Sequence, residues 1–382
     1  MSTPRRYLGQ FSERRENNFD FIRLILASIV ILTHSFVIMK TGLPEPLEFV
    51  TRKQLSFGAL AVDGFFVISG FLIAASWFRS RGLADYFRKR VLRIHPGFIV
   101  CCFFCVFVVG PLGQPSTVGY FRSVDWFAFV KNAVFLNKID LPPDWTLLRG
   151  FDTRQINGSI WTIKIEFECY VCLAALGFLG WLKRPWVPVA VLGVTWPLYV
   201  IHLIPGIVMR LPAPELIQHF GAHWRFLTYF LLGTATYGYR ARIPHDVRIF
   251  AFACALFVIG SATGTGTVLM PPAICYVVFF VAFHPAIRLH GVAEKRDLSY
   301  GIYLYGWPIQ YVWMLVFGRQ MNPYLFFLLC LPTAALCALA SWNLVEAPCL
   351  ALKGRAPRAQ KGAVQAAASA VAVAPADSPR VD

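Results

Sequence analysis

Ionised side chains inside long apolar runs are the natural place to look for chemistry, because they persist there only when paired or used. Arg23 and His34 lie 11 residues apart in one such run. At about 100° per residue the offset is about 20°, so both project from one helical face, about 16 Å apart along the axis. A guanidinium suits phosphate, and an imidazole titrating near about 6.5 suits proton abstraction. The structural alternative is that Arg23 snorkels to headgroups and His34 makes a hydrogen bond. Asp63, in the next apolar run, is expected at the depth of His34, where a carboxylate would orient the imidazole. Arg90 and Arg93 share a helical face and suit phosphates, although anchoring at the membrane's inner side explains their charge equally well. Near the start of a later run stand Lys164, Glu166 and Glu168. An i, i+4 pair between Lys164 and Glu168 would account for two charges and leave Glu166 over, as a general acid or base or as the partner of Arg23 or His34. Ser69, beside Gly70, serves close helix contact or supports the site.

The elements that must position these groups are membrane helices. The 382-residue chain is 57% hydrophobic and only 15% charged, against about 25% charged in soluble domains. Its net charge of +16 comes from short basic blocks between apolar runs, which is the pattern of topology and not of a nucleic-acid face. About ten segments approach the roughly 20 residues needed to cross a bilayer, near 19–39, 58–78, 94–111, 161–181, 186–203, 225–240, 248–262, 266–285, 299–317 and 323–346. With the N-terminus inside, about 22 of the 36 Lys and Arg residues fall in inner segments, predicting an even number of spans and both termini in the cytoplasm. The expected fold is therefore an all-α polytopic transmembrane bundle of about ten spans. It comprises a cytoplasmic segment 1–18, a membrane domain 19–350 and a disordered cytoplasmic tail 351–382. The longest outer loop, about 112–160, contains Trp126–Leu136, too short to cross and expected to lie at the interface or cap a site. The ten cysteines sit in or beside apolar runs without metal-like spacing, so neither disulfides nor a metal is expected. The first run has no cleavage site and reads as a retained span. No internal repeat is visible, which disfavours transporters built from duplicated halves.

These residues, in this order, resemble the acyltransferase type 3 family, multi-span membrane enzymes that modify bacterial surface glycans and related acceptors. The resemblance covers nearly the whole chain. It rests on Arg23 with His34, Phe65–Ile73 around Ser69, Arg90-x-x-Arg93 before Pro96, Ser159 and Trp161 through Glu166, Ser299–Tyr305 with Tyr300, and Trp342–Pro348. It implies transfer of an acyl group, usually acetyl, from acyl-coenzyme A (acetyl-CoA) to a sugar hydroxyl on a polysaccharide or glycolipid at the bacterial inner membrane. Arg23, Arg90 and Arg93 would bind the donor, and His34, with Asp63 and Glu166, would carry the catalysis. Ser69, Trp161, Lys164, Tyr300 and Tyr305 would support the site. The partners implied are the donor, the saccharide acceptor and membrane lipid, without nucleic acid. One departure is Gly306, where many relatives carry His. The competing reading is a transporter or flippase of a lipid-linked saccharide, using the same charges as a polar pathway.

Overall fold

The computed structural model describes residues 6–12, 17–140, 155–287, 289 and 296–354. Ten long helices carry the fold: α1 (Phe19–Ile38), α2 (Phe57–Phe78), α3 (Leu83–Phe103), α4 (Trp161–Phe178), α5 (Trp186–His202), α6 (Gly221–Tyr239), α7 (Val247–Thr263), α8 (Gly266–Phe283), α9 (Ser299–Phe317) and α10 (Pro323–Ser341). Their positions follow the ten apolar segments. The chain is all-helical and forms a polytopic membrane bundle. Five helices, α1, α2, α3 with its continuation to Leu112, α8, and α10 with its continuation to Ala351, are long and apolar enough to span a membrane; α5 and α7 are apolar but shorter. α4, α6 and α9 carry more polar and aromatic side chains.

Local sequence explains where several helices start. Ser56 accepts from the Ala59 amide at the head of α2, Asp246 from Arg248 at the head of α7, and Asn322 from Tyr324 ahead of Pro323 in α10, each satisfying an amide that has no partner within its helix. α3 starts at Leu83, about three turns earlier than its apolar run, so Arg90 and Arg93 are already helical. It then passes through a π-helical stretch, Phe104–Val109, and α10 does the same at Trp342–Glu346. Such bulges recur at functional sites.

α2 is the hub, packing on α1, α6 and α8. Its contact with α6 is a backbone approach: a Cβ on Gly70 would lie 1.9 Å from the Phe230 carbonyl oxygen, and one on Gly233 2.0 Å from that of Val67. Small residues permit this spacing between membrane helices. α1 is pinned to α9 by Gln310, whose Nε2 donates to the Ile31 carbonyl and to Ser35 Oγ, both at 2.9 Å.

The loops sort to two ends. At one, the Leu8 amide donates to Ile243 O (3.0 Å), His245 N to Arg6 O (2.8 Å) and Asn18 Nδ2 to Ile287 O (2.8 Å), while Arg88 Nη2 donates to Leu352 O (2.6 Å). At the other, Lys40 N donates to Arg319 O (3.0 Å) and Gln54 Nε2 to Ser261 O (3.0 Å). The expected interfacial segment forms a helix, Trp126–Val134, with Asp125 capping it. Phe129 and Ala133 are buried while Phe127 is 80% exposed, and Phe129 meets Phe103 of α3 at 5.3 Å. Of the tail expected to be disordered from 351, the residues up to Gly354 are helical; those beyond lie outside the described residues.

Candidate active site

α1, α2, α3, α4 and α9 enclose a cavity of about 130 Å³. α4 supplies Thr162, Glu166 and Tyr170 to it, and α2 supplies Val62, Phe65, Phe66 and Ser69, spacings of three and four that mark one face of each helix.

At the end near Leu352 the cavity is lined by Arg23, Arg90 and Arg93. Arg93 donates to Asp297, in the segment just ahead of α9, and Arg23 Nη2 reaches the same carboxylate at 3.2 Å while also pairing with Asp20. Burial raises the Asp297 carboxyl, but the Arg23 and Arg93 guanidiniums and the Ser299 hydrogen bonds outweigh it and hold the group at about 2. Arg93 Nη1 lies 3.9 Å from Glu346 Oε2, and its guanidinium sits over the Tyr300 ring at 5.4 Å. Tyr300 itself donates to the Ile94 carbonyl (2.8 Å). Arg90 differs. It donates to Ser76 Oγ at 3.2 Å and lies 6.0 Å from the Tyr170 ring centroid, and among the described residues no carboxylate pairs with it. Lys353 stands close by: burial, aided by Arg90, Arg93 and Lys89, lowers its ammonium to about 8. Buried Arg23 Nε, Arg90 Nε and Arg93 Nη1 have no hydrogen-bond partner. A mouth with spare guanidinium donors and a partly buried lysine crowded by other cations fits a polyanion.

In mid-cavity, Ser69 Oγ donates to Glu166 Oε1 at 2.8 Å, and the Tyr170 hydroxyl donates to the same oxygen at 2.5 Å. Further along, the Tyr303 hydroxyl contacts Thr162 Oγ1 (2.6 Å) and donates to the Ser159 carbonyl (2.9 Å). One turn beyond Tyr303 on α9 stands Trp307, and against it lies His34, ring centroids 4.4 Å apart and nearly perpendicular. His34 Nδ1 is buried without a partner. The imidazole thus lies past Trp307, beyond the residues that line the cavity. It occupies the far end of the same α1 stripe that begins at Arg23.

Two expectations need correction. Asp63 does not support His34: its two oxygens accept from Arg225 Nε and Nη2, each at 2.9 Å, because Asp63 projects about 100° around α2 from Val62 and about 120° from Ser69, toward α6. The i, i+4 pair of Lys164 with Glu168 is also not formed. Lys164 is exposed and donates to Asn137 Oδ1 (2.9 Å), and Glu168 pairs with His223 (3.1 Å). Trp161 lines a second cavity, of about 290 Å³, with Asp63 and Arg225. Tyr305 is buried against Phe104 of the π-helical stretch that follows α3, away from both cavities. At Gly306 a Cβ would meet Ile31 Cγ1 of α1 at 2.7 Å, so the α1–α9 contact leaves little room for a larger residue. Residues not singled out beforehand are Tyr170, Asp297, Arg225 and Lys353. Only Tyr170 had a signal, its place four residues after Glu166. Among the described residues, no three His, Cys, Asp or Glu side chains converge as metal ligands.

A family profile described as "Acyltransferase domain" matches residues 16–342. The chain belongs to the acyltransferase type 3 family. An "O-acetyl transferase" of Shigella phage Sf6 is 27% identical over 342 residues, covering 87% of this chain and 95% of the phage protein. "Nodulation protein 10" of Rhizobium leguminosarum bv. viciae is 26% identical over 364 residues, covering 90% and 96%. "Acyltransferase MdmB" of Streptomyces mycarofaciens is 27% identical over 116 residues, covering 30% and 27%. No solved structure matches the chain. The protein is an acyltransferase, and the cavity is its candidate active site.

Proposed function

We propose that this acyltransferase moves an acyl group, acetyl in the simplest case, from acyl-coenzyme A to a hydroxyl of a sugar-containing acceptor, such as a surface polysaccharide or glycolipid, at the bacterial inner membrane. The observation that supports it best is the arrangement along α1: a cavity with spare guanidinium donors at one end and the Ser69–Glu166–Tyr170 network in the middle, and His34 outside it, past Trp307 on the same stripe. The donor's phosphates sit at Arg90, Arg93 and Arg23, with Lys353 beside them, on the cytoplasmic side of a ten-span bundle whose two ends are both inside. Its thioester arm extends along the α1 face, over the roughly 16 Å that separates Arg23 from His34. A sugar hydroxyl is nearly as weak an acid as water, so attack on the thioester carbonyl needs a base beside it. His34 takes that proton, the new ester bond forms as the carbon–sulfur bond breaks, and the thiol leaves protonated. Glu166, in mid-path, is the second acid–base group.

Purified protein in detergent, given acetyl-CoA and a glycolipid extract of its host, is expected to release free thiol and acetylate the extract without a sealed membrane. Activity confined to sealed vesicles with two compartments would favour transport and overturn the proposal.

A further inference from the structure

The second cavity takes no part in the chemistry above, yet it is built for a polar ligand with flat apolar faces. It lies between α2, α5, α6, the head of α8 and the first residue of α4. Its walls present the aromatic rings of Trp161, Tyr199, Phe226 and Tyr229 around the Asp63–Arg225 pair. Asp63 is 2% exposed, whereas Arg225 keeps 27% of its side chain accessible. Gln54, at the rim, gives its Nε2 to Ser261 but has no partner for its carbonyl oxygen. Aromatic faces with a few fixed polar groups recognise ligands that are amphipathic by face, and a pyranose, with its C–H faces and equatorial hydroxyls, has that character.

The cavity's level in the bundle matters as much as its lining. Gly58 N donates to Thr33 Oγ1 at 2.7 Å, which places the first turn of α2 beside the residue next to His34. Ala59, one residue on, lines the second cavity, and its carbonyl accepts from Arg225 Nη2 at 3.2 Å. The rim of this cavity and the imidazole therefore sit at one depth, on different sides of α2, about 100° apart around the helix. The head of α4 bridges them: a Cβ on Gly158 would lie 2.7 Å from the Trp307 ring that holds His34, and Trp161, three residues on, faces the second cavity. Between the two cavities stands an aromatic wall, with Phe66 stacked on Phe226 at 4.4 Å and Trp161 at 5.6 Å from Phe226.

We infer that the cavity around Asp63, Arg225 and Trp161 binds a sugar unit of the acceptor other than the one acylated, so that the saccharide crosses the head of α4 and presents its reacting hydroxyl at His34. The inference rests on the proposed transfer to a saccharide. It makes Trp161 and Arg225 determinants of acceptor specificity.

The test uses full-length protein, acetyl-CoA and the host's glycolipid extract as titrated acceptor. Trp161→Leu and Arg225→Lys are expected to raise the half-saturating acceptor concentration about tenfold or more, with kcat and the KM for acetyl-CoA within about twofold of wild type, since uniform binding is what such contacts supply. Trp161→Phe, which keeps an aromatic face, is expected to restore most of the loss. Unchanged acceptor saturation in both variants, or an equal fall in kcat at every acceptor concentration, would overturn the inference. So would competition by saccharide-free phospholipid as strong as that by n-dodecyl maltoside. If wild type consumes no acetyl-CoA with any extract, the parent reading has failed instead.

Discussion

At the scale of single residues the groups fall into those that act on substrate and those that hold one another. On the proposed mechanism His34 is of the first kind. His34→Ala is expected to abolish acetyl transfer, by about a hundredfold or more as for a lost general base, while the detergent thermal midpoint stays within a few degrees; wild-type rates in the purified variant would remove His34 from the chemistry. Asp63 and Arg225 hold one another. Truncating one member of a buried pair leaves an uncompensated charge, at about 3–5 kcal/mol when fully buried; solvent access to Arg225 brings the figure toward the lower end. Arg225→Ala is therefore expected to lower the thermal midpoint far more than Arg225→Lys. Asp297 is tied to both Arg23 and Arg93 at the mouth of the cavity. Its carboxyl is held at about 2, below the roughly 3.9 of an unfolded Asp, so its ion pairs contribute on the order of 2 kcal/mol. A depressed acid contributes fully above its unfolded pKa and loses that contribution as pH falls through the folded value. The stability gap between wild type and Asp297→Asn is thus expected to be constant from about pH 8 to 5 and to close toward pH 2, which pH-resolved melting would check.

At the scale of elements, the site depends on how closely α2 and α6 approach. Gly70→Ala would drive a Cβ into the Phe230 carbonyl, a backbone atom that cannot swing aside, so α6 must retreat and Arg225 with it. Overpacking of this kind costs about 1–3 kcal/mol or more. The control is Gly193→Ala in α5, where nothing lies within 4 Å of the added carbon and an unchanged midpoint is expected. Equal midpoints for the two variants would show that the α2–α6 contact is looser than described. The Arg90–Arg93 pair belongs to this scale too: both lie within the rigid body of α3, so their spacing toward a donor does not depend on loop motion.

At the scale of the whole molecule, the proposed direction of transfer depends on which end of the bundle lies inside. Alkaline phosphatase fused after Gly42 is expected to be active outside the inner membrane and, fused after Arg242, to be inactive; the reverse pattern would invert donor and acceptor sides. Apolar length was enough to place ten helices, because lipid leaves a chain few other ways to satisfy its backbone. Helical periodicity likewise put Arg23 with His34, and Arg90 with Arg93, on common faces. Which neighbour a side chain meets was another matter: Gly58 meets Thr33 but Gly64 meets Leu26, so Asp63 lies level with the middle of α1, well away from His34, and turns to Arg225 instead, and nothing in one helix's pattern encodes the partner across from it. Asp297 and Lys353 stand outside the spans and reach the arginines at the cavity mouth only because α9 and the end of α10 close on α3. Depth and facing are local properties of a helix in a bilayer, readable along the chain, whereas pairing and cavities arise from side chains far apart in sequence and exist only once the helices have packed.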